Sequence, residues 1–126
     1  LPISIGGLKK LTLLNLSWNN LKNLPVSITE LQNLNELYLN GNVNLDLNDT
    51  FEKLSHLKRL EELNLWKNEI TSLPSSISKL KNLTSLSLSA NKLDEVPESI
   101  GELKKLNFLD FNKNLLKDLP DSIGKL

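Results

Sequence analysis

Few side chains in this chain could do covalent chemistry. His56 is the only histidine among 126 residues, and there is no cysteine. A general base needs an aligned partner and a substrate pocket, and no Ser, Asp or Cys arrangement around His56 implies one, so a structural or solvent-facing role is expected for it. Glu36 and Glu62 have no histidine or further carboxylate converging on them, so no metal and no cofactor is expected. What stands out instead is a group suited to contact: Trp18, Glu36, Tyr38, Glu62, Asn64 and Trp66. Aromatic residues presented on a rigid surface are favoured anchors of protein interfaces. The chemistry expected here is recognition of a protein or peptide, without catalysis.

The elements that must position these residues follow from a repeat. In the stretch Leu80 to Pro97 the apolar residues Leu83 and Leu86 are three apart and Leu86 and Leu88 two apart. A spacing of two is that of a strand with one buried face. The same frame recurs as Leu11-Leu14-Leu16, Leu34-Leu37-Leu39, Leu60-Leu63-Leu65 and Leu106-Leu109-Phe111. Each strand is followed by an asparagine, at Asn19, Asn42, Asn68, Asn91 and Asn114, giving steps of 23 residues with one of 26. Such an asparagine can satisfy backbone groups that a bend strips of ladder partners. Pro2, Pro25, Pro74, Pro97 and Pro120 keep the same register, and Phe51 stands where the second unit lacks its proline.

With strands in this frame, the residues between the leucines form outward columns. Leu13, Glu36, Glu62, Ser85 and Phe108 make the first; Asn15, Tyr38, Asn64, Ser87 and Asp110 the second; Ser17, Asn40, Trp66, Ser89 and Asn112 the third. Tyr38 and Trp66 then fall on adjacent strands, close enough for large side chains to touch, with Trp18 flanking them. The plain alternative is that these aromatics shield the sheet and bind nothing. Glu36 and Glu62 lie side by side, where like charges oppose one another; a basic partner, a nearby lysine or solvation would relieve them. Lys9-Lys10, Lys58-Arg59, Lys81 and Lys104-Lys105 line up ahead of the strands as a basic edge for an acidic partner, or as a solvated face.

The pattern L-x-x-L-x-L-x-x-N-x-L, five times in register, resembles the leucine-rich repeat signature. The unit LPxSIxxLxxLxxLxLxxNxLxxLP is most similar to the 23-residue class of bacterial leucine-rich repeat proteins. The resemblance implies an α/β fold: a right-handed solenoid with a parallel β-sheet on the concave face and short 3₁₀ or α turns on the convex face. It implies one domain over residues 1–126, of about five repeats with partial repeats at both ends. In the second unit, Asp49-Thr50-Phe51-Glu52 reads as a capping box, and Leu54, Leu57 and Leu60 follow at helical spacing, so a longer helix is expected there.

Fifteen basic and fifteen acidic residues cancel, which argues against the basic excess that phosphate-backbone binding requires, so nucleic acid is not an expected partner. No run of eighteen apolar residues suggests membrane insertion. Without cysteine there are no disulfide-stapled caps, which favours a cytoplasmic over a secreted setting. Both ends match the interior of a repeat, so the chain is expected to be a piece of a longer protein, with apolar ends around Leu1, Ile5, Ile123 and Leu126 favouring end-to-end self-association. The expected function is a binding scaffold that uses the concave sheet. Two alternatives stay open: a recognition segment of a larger enzyme (kinase, GTPase or ubiquitin ligase) with catalysis elsewhere, and a structural or self-associating spacer.

Overall fold

A computed structural model describes residues 1–126. Five three-residue strands, β1 (Leu13–Asn15), β2 (Glu36–Tyr38), β3 (Glu62–Asn64), β4 (Ser85–Ser87) and β5 (Phe108–Asp110), form one parallel sheet in sequence order. Leu13, Glu36, Glu62, Ser85 and Phe108 are aligned across it, as are Asn15, Tyr38, Asn64, Ser87 and Asp110. The alternation that places these residues outward turns Leu37, Leu63 and Leu86 inward, where each is fully buried. The ladder runs on past the strands: Leu39 N–H donates to Asn64 O and Gly41 N–H to Trp66 O, and the neighbouring repeats repeat the pattern. The third column is thus carried on the same paired backbone.

On the far side, 3₁₀ turns span Ile3–Gly7, Val26–Glu30, Ser75–Lys79, Glu98–Glu102 and Asp121–Lys125. Each proline stands one residue ahead of its turn in an extended conformation, and its carbonyl accepts the first bond of the turn. A proline has no N–H to lose there. Ile28, Ile77 and Ile100 fill the gap between these turns and the strand leucines and are fully buried. Strands about 4.8 Å apart pack more closely than helical turns can, so the stack bends with the sheet on its concave side. The result is an α/β leucine-rich repeat solenoid, with the right-handed crossovers general to parallel strands.

The second unit departs from its neighbours by the longer helix expected there, and from the sequence reading in how that helix is capped and where it ends. Its helix α1 spans Leu47–Leu54 and is capped by Asp46, whose carboxylate accepts Asp49 N–H at 3.0 Å. Asp49 and Glu52 therefore form no capping box. Asp49 sits in the first turn and pairs with Lys53 at 2.6 Å, while Glu52 pairs with Lys79 of the next unit. Leu57 and Leu60 are buried but lie beyond the helix, because a tight turn in which Leu57 N–H donates to Leu54 O ends it. Phe51 takes the proline's place and is fully buried. Of the residues expected at the apolar ends, Leu1 and Leu126 are exposed, Ile123 is half-buried, and Ile5 is buried against the following turn.

The asparagines tie the repeats together. Asn42 Nδ2 donates to its own Leu39 O (2.9 Å) and to Leu16 O of the unit before (3.0 Å), while its Oδ1 accepts Leu21 N–H. Asn91 does the same to Leu88 O and Leu65 O and accepts from both Asn68 N–H and Ile70 N–H. Asn114 bridges Phe111 O and Leu88 O, and Asn19, in the first unit, bonds Leu16 O and Ser17 O. Asn68 differs: its Oδ1 accepts Asn42 N–H at 2.5 Å, but its buried Nδ2 has no partner. Asn68 is the one that faces the unit carrying the insertion. Immediately before these asparagines the backbone turns left-handed, at Trp18 (φ 57°), Gly41 (73°), Lys67 (55°), Ala90 (51°) and Lys113 (55°). Only one of the five is the residue that favours this conformation.

Candidate protein-binding face

The three outward columns lie on the concave sheet. In the first two, the fixed register puts Glu36 of β2 opposite Glu62 of β3 and Tyr38 opposite Asn64. The Tyr38 side chain is directed to the Glu36 and Glu62 carboxylates. Its hydroxyl donates to Glu62 Oε1 at 2.8 Å and lies 3.0 Å from Glu36 Oε2. A hydroxyl has one hydrogen, so the two carboxylates share a single donor. The hydrogen bond to Glu62, then burial, then Glu36 hold the phenol well above its ordinary range. Neither Glu36 nor Glu62 forms an ion pair, whereas Glu30, Asp49, Glu52, Glu69 and Glu102 each pair with a lysine.

Trp66 pairs with Trp18. Their ring centroids are 5.6 Å apart with planes at 87°, an edge-to-face contact favoured by the ring quadrupoles. The two indoles belong to the first and third units, and what lets them meet is Gly41 in the second. A Cβ built on Gly41 would come within 2.5 Å of the Trp18 ring, so the indole lies across the glycine backbone. Lys67 Nζ is 5.3 Å from the centroid of one Trp18 ring and 5.8 Å from that of Trp66, a shared cation–π contact. Trp18 is 59% exposed and Trp66 36%. Lys67 and Gly41 escape a reading by columns because they occupy the left-handed position just beyond them. The glycine in that position, among Trp18, Lys67, Ala90 and Lys113, is the sequence signal for the gap.

Asn64 is engaged within the sheet: its Oδ1 accepts Trp66 N–H at 2.9 Å and so fixes the backbone that presents the indole. Asp110 treats Asn112 N–H in the same way. Along β4 and just beyond it, Ser85, Ser87 and Ser89 leave the face low and polar. The basic row is largely occupied. Lys9 pairs with Glu30 and Lys81 with Glu102, Arg59 bonds Asn33, and Lys105 bonds Asn82. His56 is exposed on the turn after α1. No His, Cys, Asp and Glu side chains are grouped as a metal ion needs, and no helix is long and apolar enough to cross a membrane.

This chain belongs to the leucine-rich repeat family. Residues 48–126 match the leucine-rich repeat region, and residues 10–31 match a leucine-rich repeat. No curated protein matches the chain. Among solved structures, a leucine-rich repeat protein of Leptospira interrogans is similar at 37% identity and a TM-score of 0.86, over 98% of this chain and 31% of that one. The leucine-rich repeat ectodomain of the plant membrane receptor kinase GASSHO1/SCHENGEN3 from Arabidopsis thaliana, in complex with CASPARIAN STRIP INTEGRITY FACTOR 2, is similar at 27% identity and a TM-score of 0.73, over all of this chain and 15% of that one. The chain therefore spans under a third of either. Its repeats are of the bacterial type, and solenoids of this kind offer extended concave surfaces for binding.

Proposed function

We propose that this chain binds another protein or peptide on its concave sheet, with Tyr38, Trp66 and Trp18 as anchors and Glu36 and Glu62 beside them, and supplies no catalysis of its own. The observation that carries this reading is the Trp18–Trp66 pair: two indoles in mutual contact, held on a glycine backbone, with large exposed faces and no core to fill. Rigid, exposed aromatic pairs supply contact area at low entropic cost. The Arabidopsis structure adds support, since a leucine-rich repeat array of the same architecture is there in complex with another molecule.

The test is quantitative capture of partners from the source organism's lysate and culture medium, comparing the chain with a Tyr38→Ala, Trp66→Ala variant of confirmed fold. A specific protein retained only by the unaltered chain supports the reading; equal retention by both overturns it. A second reading, that these repeats are the recognition segment of a larger enzyme, is favoured by the receptor kinase to which that ectodomain belongs. Catalysis would then lie outside residues 1–126, and the sequence of the flanking chain decides it.

A further inference from the structure

We infer that the partner meets this sheet with a basic, extended segment, one arginine or lysine of which sits between Glu36 and Glu62 at the Tyr38 hydroxyl. The inference rests on the binding reading above and specifies the chemistry of what is bound. The whole chain carries equal numbers of basic and acidic residues, yet the three outward columns carry Glu36, Glu62 and Asp110 and not one lysine or arginine. The five acids that pair with lysines, Glu30, Asp49, Glu52, Glu69 and Glu102, all lie outside these columns. On the sheet, Glu36 and Glu62 have only the single hydroxyl hydrogen of Tyr38 between them. An arginine fork or an ammonium supplies the donors this arrangement lacks. The same surface already holds one cation, since Lys67 rests on the paired indoles at its margin.

The spacing of the acids shapes the ligand. From the Glu36–Glu62 pair to Asp110 is two to three strands across and two residues along, roughly 13 Å at a strand spacing of about 4.8 Å and a rise of about 3.3 Å per residue. An extended chain covers that distance in about four residues, which returns a second basic side chain to the same face. Between the acids lie Asn64, Ser85 and Ser87, low enough to let a backbone pass.

The test uses a fluorescein-labelled serine–threonine nonapeptide with two arginines four positions apart, and its counterpart with glutamine at both places, followed by fluorescence anisotropy at low and high salt. The arginine peptide is expected to bind, to weaken with salt, and to weaken about tenfold or more with Glu36→Gln, Glu62→Gln, in line with paired charges at interfaces. Glu52→Gln, Glu102→Gln on the convex side is the control and leaves binding unchanged. Failure of the arginine peptide to bind, equal binding of the glutamine peptide, or indifference to Glu36→Gln, Glu62→Gln overturns the inference. A natural partner lost with Trp66→Ala but retained by Glu36→Gln, Glu62→Gln sinks this inference and leaves the binding reading standing; a partner indifferent to both variants sinks both.

Discussion

The indole of Trp18 lies across the backbone of Gly41, one repeat further along, and reaches Trp66 only because no side chain intervenes. Gly41 is also left-handed, at φ 73°, so a side chain there meets both strain and the ring. Gly41→Ala is expected to lower stability by about 1–2 kcal/mol and to part the indoles. Chemical denaturation and near-ultraviolet circular dichroism check this; an unchanged tryptophan dichroism contradicts the contact.

The asparagine ladder predicts unequal losses. Asn91 holds two carbonyls and two N–H groups of neighbouring turns, whereas Asn68 accepts one N–H and leaves its own Nδ2 unpaired. Buried backbone groups left without partners cost about 1–3 kcal/mol each. Asn91→Ala is therefore expected to destabilise the stack by about 3 kcal/mol or more and Asn68→Ala by about 1 kcal/mol. Equal shifts of the denaturant midpoint would contradict the bonding pattern.

Ala90 is left-handed at φ 51°, in the column where Gly41 is the one residue suited to the conformation. Relief of that strain outweighs the added freedom of the unfolded chain, so Ala90→Gly is expected to stabilise the protein by about 0.5–1 kcal/mol. A loss of stability in thermal unfolding would mean that the alanine methyl matters more than the backbone.

Tyr38 is the only tyrosine, so absorbance at alkaline pH reports on it alone. Glu62, burial and Glu36 raise its pKa. The proton is held more tightly in the folded than in the unfolded state. The stability this contributes is complete below the ordinary phenol value of about 10 and is lost as pH climbs through the higher folded value. A tyrosinate midpoint well above 10 is expected, moving back towards 10 in Glu36→Gln, Glu62→Gln. A midpoint near 10 in the unaltered protein contradicts the shared hydrogen bond.

Much of this architecture is legible in the sequence because one length repeats. Leucines two apart specify which side of each strand is buried, and the recurring leucine frame, carried across the one longer step, places Glu36 against Glu62 and Tyr38 against Asn64, as the sheet has them. The particulars that escape depend on contacts between units. Asp46, three residues ahead of Asp49, captures the helix cap because the inserted residues lead an extended backbone into it. Trp18 meets Trp66 because a left-handed turn redirects its side chain and Gly41 clears the way. Neither the turn's handedness nor the hydroxyl shared by two carboxylates is written in a spacing.

The most direct test of the binding face is its own fluorescence. Trp18 and Trp66 are the only tryptophans, and both stand at the proposed site. Titration of a captured partner into the protein, with binding followed independently by anisotropy of the labelled partner, should shift the tryptophan emission to shorter wavelength in step with occupancy. A partner that binds fully while the emission stays where it was would place the interface elsewhere and contradict the account.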